Sequence, residues 1–316
     1  MAGRGPADER RLSLAGERGP SPRLHPGRKQ LTLASIPLHA GDRQRLLITD
    51  AVLVDLREIT PLILTYNEEA NIGRTLDRLT WAKQILVVDS HSDDATLDIV
   101  ADYPQADVLQ RPFDSFAGQC NFGLDHIDTE WVLSLDADYV LSEGFTEEVR
   151  RLPSNPSADG YTASFVHCVF GDPIRATLYP PRTVLYRRAR ASYRQDGHAH
   201  QVEVDGATET LDSAIYHDDR KSLERWLKAQ QDYTADELDK YRASVLSELS
   251  WPDRIRARAL SPPLVFLYCL FVKGLILDGK AGWYYTLRRT YAELLLTLAL
   301  MDEKLRADHE DPSRHD

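Results

Sequence analysis

Two aspartates one residue apart follow a short apolar run near the middle of the chain. The run is Trp131 to Leu135, and the carboxylates are Asp136 and Asp138. A run this short is typical of a buried strand in a parallel sheet, and ligands collect at the carboxyl ends of such strands. Neighbouring carboxylates repel unless a cation lies between them, and Mg²⁺ or Mn²⁺ binds carboxylate and phosphate oxygens together. The pattern predicts a metal and diphosphate site, although the triplet alone also fits solvated loop acids.

Short apolar runs alternate with single helices from Ile59 up to this central strand. Such alternation predicts β-α-β-α-β-α-β, a parallel sheet with right-handed crossovers. The second strand also ends on an acid, Asp89, and N-cap residues open the helix that follows. The predicted strands before the central one are Pro61–Leu64, Gln84–Asp89 and Asp107–Gln110, and the predicted helices are Asn71–Leu79, Ala95–Ala101 and Ala117–His126.

The second half of the chain mixes strands and helices, so the predicted fold class is α/β: a mixed sheet flanked by helices, with a C-terminal helical appendage. The end of the chain is apolar and helical in pattern. The predicted elements are strands at Tyr161–Val169, Thr183–Tyr186 and Ala214–Tyr216, a hairpin at Tyr193–Val204 and a helix at Leu223–Tyr241.

Two apolar runs lie in the C-terminal region, Leu264–Leu277 and Tyr291–Met301. The first has 14 residues, which is fewer than the roughly 20 that a membrane-spanning helix needs. Basic and aromatic residues accompany both runs, so an amphipathic hairpin on a membrane face is one interpretation. A helical pair packed on the catalytic domain is the other, and the sequence leaves both open.

Composition narrows the class of partner and the compartment. The 316 residues carry a net charge of −11, which argues against nucleic acid as a partner. Three widely spaced cysteines with no Cys-x-x-Cys pair predict buried thiols in a reducing compartment. No signal peptide is visible, so we expect a cytoplasmic protein, with contact to the inner face of the plasma membrane as an open alternative. Residues 1–45 are predicted to be a disordered basic arm, and residues 306–316 a disordered tail.

Three motifs at predicted strand ends carry a family resemblance. They are Thr65-Tyr66-Asn67-Glu68-Glu69, Asp89-Ser90-x-Ser92-x-Asp94 and Asp136-Ala137-Asp138. Together they resemble family 2 glycosyltransferases of the GT-A fold, a Rossmann-like nucleotide-diphospho-sugar transferase fold, in the branch similar to bacterial lipopolysaccharide-core glucosyltransferases. The resemblance covers roughly Ile59 to Met301 and implies a GT-A domain at 58–220, followed by a helical region at 221–305.

The resemblance implies a role for each motif residue. Asp89 is expected to bind the nucleobase of a nucleotide-sugar donor, and Asp138 to bind Mg²⁺ or Mn²⁺ bridging the diphosphate. Asp136 is expected near the ribose and beside the metal. The other residues expected to face the donor are Thr65, Asn67, Glu68, Asp94 and Asn121. Asn121 is equally well explained as a helix-surface amide, and Arg182, with Arg175 as the weaker candidate, is placed to meet the diphosphate.

The catalytic base is less well defined by the sequence. Members of this branch often carry a His-Glu pair, and the corresponding stretch here is Asp196-Gly197-His198-Ala199-His200. Neutral imidazole accepts a proton near pH 7 or ligates a metal. His198 and His200 are two residues apart, so on a strand they would share one face. His198, His200 and Asp196 are the candidate bases, and loop histidines without a role are the alternative.

The implied function is inverting transfer from a nucleotide-diphosphate donor, expected to be UDP-linked, to a lipid-linked or cell-envelope saccharide. A nicotinamide-dependent oxidoreductase would need Gly-x-Gly-x-x-Gly after the first strand, where this chain has Thr65-Tyr66-Asn67-Glu68-Glu69. A nucleotide-sugar-binding protein that has lost turnover remains the alternative, because no Glu follows His198 directly.

Overall fold

The computed structural model describes residues 53–196, 199–243, 255–256 and 259–310. Four parallel strands form one half of the main sheet, in the spatial order β3-β2-β1-β4. Ile63 and Val87 have no exposed surface, as expected for parallel strands that helices cover on both faces. The strands are β1 (Ile59–Thr65), β2 (Ile85–Asp89), β3 (Ala106–Gln110) and β4 (Trp131–Asp136).

One helix connects each pair of consecutive strands in this half, which confirms the predicted alternation. The helices are α1 (Ile72–Asp77), α2 (Thr96–Ala101) and α3 (Phe116–Asp125), and α4 (Glu143–Arg150) follows the parallel half. The Ser115 hydroxyl accepts a hydrogen bond from the backbone N–H of Gly118 and so caps α3. The helices therefore begin and end within a few residues of the predicted bounds.

The remaining strands complete the main sheet and form two smaller units. They are β5 (Tyr139–Leu141), β6 (Gly160–Ala163), β7 (Phe165–Val169), β8 (Asp172–Pro173), β9 (Arg182–Arg187), β10 (Ala191–Asp196), β11 (Ala199–Val204), β12 (Thr208–Thr210) and β13 (Ile215–His217). Within the described residues, the main sheet has seven strands in the order β12-β6-β9-β4-β1-β2-β3. Because β9 runs antiparallel to β4 and β6, the sheet is mixed, as predicted.

The second sheet has the order β5-β13-β7-β8, and β10 pairs with β11 as a hairpin. The single strand predicted at Tyr161–Val169 is therefore wrong, because the chain leaves the main sheet at Ser164 and enters the second one. The backbone N–H of Ile215 bonds to the Ser164 carbonyl at 3.0 Å. This pairing partner lies about fifty residues later in the chain, where a local pattern gives no sign of it.

Within the described residues, three helices follow the strands: α5 (Leu223–Ala243), α6 (Ser261–Leu267) and α7 (Gly279–Glu310). A π-helical turn (Tyr268–Val272) and a 3₁₀ turn (Leu275–Asp278) join α6 to α7. α7 continues five residues into the segment 306–316 that was predicted to be disordered, and an ion pair from Arg306 to Asp302 at 2.7 Å supports its last turns. The predicted arm at 1–45 and residues 311–316 lie outside the described residues.

Apolar side chains pack on both faces of the main sheet and beneath the C-terminal helices. One face packs against α1 and α4 through residues such as Leu76, Leu133 and Phe145. The other packs against α3 and the β10–β11 hairpin. A third cluster joins Val169, Ile174, Cys269, Leu275 and Tyr285, and thereby fixes α7 to the strands. Within the described residues, no helix is both long and apolar enough to cross a membrane.

A substitution at Gly282 tests how closely α7 approaches the turn that precedes it. A Cβ atom at position 282 would lie 1.9 Å from the backbone carbonyl oxygen of Leu275, whereas one at Gly73 in α1 would make an ordinary 3.5 Å contact with Ile99. Gly282→Ala is expected to lower the free energy of unfolding by about 1–3 kcal/mol, because the helix must move. Gly73→Ala should be neutral or slightly stabilising, since alanine favours helices. Urea unfolding of both variants checks this, and equal stabilities would contradict the packing described.

Candidate active site

Three of the predicted site residues lie at one edge of the parallel half-sheet. Thr65 at the end of β1 is in register with Asp89 at the end of β2, and Leu64 is in register with Asp136 at the end of β4. The carboxyl ends of parallel strands therefore bring Asp89 and Asp136 to the same edge, on either side of β1.

Asp89 lies within a ring of hydrogen-bond donors and has no exposed surface. Its Oδ1 accepts from the hydroxyls of Thr65 at 2.9 Å and Ser92 at 2.5 Å. Its Oδ2 accepts from the Ser92 backbone N–H at 3.0 Å and the Gln110 amide at 3.2 Å. Burial alone would raise the pKa of Asp89, but the hydrogen bonds from Ser92, Gln110 and Thr65 lower it below its ordinary value. Asp89 is thus held as a carboxylate.

The loop after β1 and the loop after β2 are joined by reciprocal hydrogen bonds. Asn67 adopts a left-handed conformation (φ 57°), its backbone N–H donates to the Ser92 hydroxyl at 2.8 Å, and its Oδ1 accepts from the Asp93 backbone N–H at 2.8 Å. The Asp94 carboxylate accepts from the backbone N–H groups of Glu69 and Thr96. The structure therefore brings Asn67 and Asp94 together with Asp89.

Asp138 pairs with His217, which comes from the second sheet. The His217 Nε2 lies 3.2 Å from Asp138 Oδ2, and both side chains are largely buried. The pair is fixed from the backbone, because β13 lies next to β5 and the Asp218 N–H donates to the Asp138 carbonyl at 3.0 Å. Burial alone would lower the pKa of His217, but Asp138, Asp136 and Asp219 raise it. Asp138 Oδ1 and His217 Nδ1 are buried without hydrogen-bond partners among the described residues.

A buried ion pair lies beside Asp138. The Lys221 ammonium is 2.5 Å from Glu68 Oε1, and the Asn71 amide donates to Glu68 Oε2 at 2.9 Å and to Asp219 at 3.2 Å. Burial raises the pKa of Glu68, and Lys221 acts against that rise. Burial alone would lower the pKa of Lys221, but Glu68, Asp138 and Asp219 raise it above its ordinary value. Lys221 is therefore a fixed positive charge among carboxylates.

The C-terminal helices add two arginines to the rim of this group. Arg225 of α5 lies 3.5 Å from the Asp94 carboxylate, and Arg288 of α7 lies 3.8 Å from Asp219. The Arg288 guanidinium also lies 4.4 Å from the ring centre of Trp226, so helices α5 and α7 are joined at this point. The C-terminal helices α5 and α7 thus contribute positive charge to the site.

A cavity of about 410 Å³ opens beside Asp136, between β4, β9 and the β10–β11 hairpin. The Arg182 guanidinium stacks 4.8 Å above the Tyr179 ring and makes no hydrogen bond or ion pair within the described part of the chain. Burial alone would lower the pKa of Arg182, but Tyr179, Tyr139 and the Asp136 carboxylate raise it. Hydroxyl and amide groups complete the lining of the cavity, from Ser134, Tyr139, Thr162, Thr183 and Gln201. The cavity thus has an arginine, a carboxylate, hydroxyls and an aromatic ring, which are groups that can bind a sugar.

A model of glycosyl transferase family 2 matches residues 62–203, the segment that holds these strand-end motifs. Over these residues the chain is therefore similar to glycosyl transferase family 2. The chain is a transferase enzyme. Its mixed α/β sheet flanked by helices, with further helices at the C-terminus, confirms the α/β class predicted from the sequence.

Curated relatives similar to this chain are also named glycosyltransferases. An uncharacterized glycosyltransferase of Rickettsia bellii is 26% identical over 267 residues, covering 80% of this chain and 89% of the relative. The lipopolysaccharide core biosynthesis glycosyltransferase LpsC of Rhizobium meliloti is 31% identical over 98 residues, 30% of this chain and 36% of LpsC. Among solved structures, glucosyl-3-phosphoglycerate synthase from Mycobacterium tuberculosis with Mn²⁺, UDP and glucosyl-3-phosphoglycerate has a TM-score of 0.39 and 15% identity, covering 58% of this chain and 79% of that one. That likeness is too distant to say anything about ligands.

Some predicted site residues of the transferase lie elsewhere or outside the described part. The Asn121 amide donates to the Tyr193 carbonyl at 2.9 Å, and its oxygen accepts from the Tyr193 N–H at 2.9 Å, so it ties α3 to β10. His198 lies outside the described residues, as do the side chains of His200 and Asp196. The choice of catalytic base therefore stays a prediction.

Sequence reasoning missed three residues of the transferase that the structure brings to Asp138. His217, Lys221 and Asp219 follow one another closely in the chain, at the end of β13 and before α5. One signal was present, because the predicted strand Ala214–Tyr216 is followed by His217-Asp218-Asp219, again a polar group at a strand end. The pairing of β13 with β5 and β7, which decides their position, is a contact between distant parts of the chain.

The transferase's own residues fit a divalent cation next to Asp138. Within the described ranges, no group of three or more His, Cys, Asp or Glu residues could hold a metal by itself. However, Asp138 Oδ1 is a buried oxygen without a partner. Mg²⁺ is commonly bound through one or two carboxylates together with substrate phosphates and water. The Asp138 carboxylate would hold such an ion through Oδ1, with phosphate oxygens of a substrate and water as the other ligands.

Asp89 should contribute stability that depends on pH. Because its pKa is lowered on folding, the contribution is present above the ordinary aspartate pKa of 3.8 and is lost as the pH falls through the folded-state value. Asp89→Asn is expected to cost about 1–3 kcal/mol at pH 7, since buried donors lose a charged acceptor. Urea unfolding at pH 7, 4 and 3 should show a gap to the wild type that is nearly constant down to pH 4 and narrows below it. Exposed Asp128, at the other end of β4, gives the control Asp128→Asn, and a gap independent of pH would refute the assignment.

Lys221 and Glu68 should be strongly coupled in stability. Lys221→Met leaves the Glu68 carboxylate without its cation and is expected to cost about 2–4 kcal/mol, less than a fully buried pair because Lys221 is 25% exposed. Glu68→Gln with Lys221→Met should cost less than the sum of the single changes. A double-mutant cycle by urea unfolding measures this coupling, and additive losses would show that the pair does not act as a unit.

Proposed function

We propose that the chain transfers a sugar from a UDP-sugar to a cell-envelope or lipid-linked saccharide, with inversion and with the help of Mg²⁺ or Mn²⁺. The observation that supports this most is the unsatisfied Asp138 Oδ1, buried beside His217 at the same sheet edge as Asp89 and Asp136. A base-reading carboxylate and a metal-binding carboxylate at one edge are what a nucleoside diphosphate requires.

The proposed donor site uses both loops at the sheet edge. Asp89, oriented by Thr65 and Ser92, faces the nucleobase, with Asn67 and Asp94 in the joined loops around it. Asp89 has no exposed surface, so reading a base directly requires one of its present donors, such as Gln110, to give way. Asp136 lies on the other side of β1, where the ribose and diphosphate would follow.

The reaction is a single displacement at the anomeric carbon. The bond from the acceptor oxygen to that carbon forms while the bond to the diphosphate oxygen breaks, and the acceptor hydroxyl gives its proton to a base, for which His198, His200 and Asp196 are the candidates. A divalent cation held by Asp138 would neutralise the charge that develops on the leaving diphosphate. Lys221, held charged by its neighbours, and Arg182, which stacks on Tyr179, supply further positive charge.

The proposed acceptor rests on the relatives and on the cavity. LpsC is named for lipopolysaccharide core biosynthesis, and a saccharide of the cell envelope is the corresponding acceptor here. The cavity beside Asp136 offers hydroxyls, an amide and Arg182, which suit sugar hydroxyls. A lipid-linked saccharide would bring the enzyme to a membrane surface.

Removal of the proposed metal ligand should abolish the metal dependence of donor binding. Asp138→Asn is expected to weaken UDP binding with Mn²⁺ present by at least tenfold, while binding without the metal stays similar. Thermal shift with and without Mn²⁺ measures this, because a ligand of the folded state raises its stability with occupancy. Asp128→Asn serves as the exposed control.

Equal affinity for UDP and Mn²⁺ in Asp138→Asn and wild type would contradict the metal assignment. Turnover of a UDP-sugar distinguishes the enzyme from the alternative, a nucleotide-sugar-binding protein without activity. Binding of UDP-sugars with no hydrolysis or transfer to any saccharide acceptor would favour that alternative.

A further inference from the structure

The turn between α6 and α7 exposes a group of apolar side chains. Phe271 is 62% exposed, Val272 71%, Ile276 41% and Leu277 71%. We call residues 271–277 the hairpin tip. Single exposed apolar residues are common on protein surfaces, but contiguous groups mark sites of interaction with a partner or a membrane.

The exposed apolar surface continues from the hairpin tip along both helices. The opposite faces of the helices are already used, because Cys269, Leu275 and Tyr285 pack on Val169 and Ile174. The tip is therefore the end of an outer face that two helices share. Its other members are Leu264, Leu267 and Tyr268 on the α6 side, and Trp283, Leu287, Tyr291, Leu294, Leu298, Met301 and Leu305 on α7.

Positive charge flanks the hairpin tip in a chain that is acidic overall. Lys273 lies within the tip, with its ammonium 5.7 Å from the ring centre of Tyr268, and Lys280 follows at the start of α7. The whole chain carries a net charge of −11. Lysines beside exposed Phe, Tyr and Trp side chains complement a surface with anionic headgroups above an apolar layer.

We propose that the hairpin tip docks on an anionic lipid bilayer, with Phe271, Val272 and Leu277 in the boundary between headgroups and acyl chains. A second copy of the chain is a weaker fit, because a two-fold contact centred on the tip would bring the same lysines face to face. The exposed apolar residues of α7, spaced three and four apart, extend this face without further lysines. The face is longer than the contact between two packed helices and spans the width of two helices, which also suits a bilayer better than a second copy.

Docking at the hairpin tip would bring the bilayer close to the sugar-binding cavity. Asp278, just after the tip, accepts from the Arg175 backbone N–H at 3.0 Å and from its guanidinium at 2.7 Å. The Tyr285 hydroxyl accepts from the Leu178 N–H at 2.8 Å, two residues before Pro180, where this segment begins to line the cavity. The inference goes beyond the proposed function, and suits an acceptor that is held in the membrane.

Vesicle flotation with the full chain tests the docking directly. Wild-type protein is expected to float with vesicles of phosphatidylcholine containing 30% phosphatidylglycerol, and much less with phosphatidylcholine alone. Val272→Glu with Leu277→Glu should lower the affinity at least tenfold, since both charges would enter the bilayer boundary. Both side chains are largely exposed, so the fold should tolerate them. Lys273→Gln with Lys280→Gln should weaken binding to the anionic vesicles selectively.

Phe113→Glu is the matched control, because Phe113 is an exposed aromatic residue (52%) far from the tip in sequence and should leave flotation unchanged. Three results would overturn the proposal: no flotation of the wild type, equal flotation of the tip variant, or equal binding to neutral vesicles. Light scattering of the same variants adds a fourth such result. If the wild type is a dimer and the tip variant is a monomer, the face is an interface between copies of the chain. The assay needs no donor, so its failure would leave sugar transfer untouched.

Discussion

Carboxylates gathered at one edge of the sheet are the constraint on which the rest of the structure depends. Asp89 ends β2, Asp136 ends β4 on the other side of β1, Asp138 lies in the turn after β4, and Glu68 lies in the loop after β1. Asp89 is stabilised by neutral donors, whereas Glu68 has the Lys221 ammonium at 2.5 Å. Asp138 has only His217 on one oxygen. Because like charges in a partly buried site repel strongly, the edge is suited to receive a cation together with an anionic ligand.

The second half of the chain supplies positive charge next to these carboxylates. β13 places His217 beside Asp138, the residues that follow it place Lys221 on Glu68, and α7 places Arg288 near Asp219. The same helix anchors its inner face through Tyr285 and leaves its outer face apolar and exposed. In our proposal, one helical region therefore supplies both charge to the donor site and contact with lipid. The segment from Arg175 to Arg182 connects the two.

The parallel half was predictable from the sequence because each strand is a short apolar run that ends on polar residues, and parallel strands end at one edge. The positions of His217 and Lys221 were not, since they depend on the pairing of β13 with strands far away in the chain. The same limit applies to Ser164, where the predicted strand divides, and to Asn121, whose partner Tyr193 lies in a distant hairpin. The final helix exceeded its predicted length because the pattern of apolar residues ends before the ion pair from Arg306 to Asp302.

Anomalous diffraction from crystals grown with UDP and Mn²⁺ would test the central claim most directly, because it locates the metal and the nucleotide in one experiment. The account predicts an anomalous peak bonded to the Asp138 carboxylate and to the diphosphate, next to His217, with the uracil over Asp89. Bound UDP with the metal away from Asp138, or UDP in another part of the molecule, would contradict it.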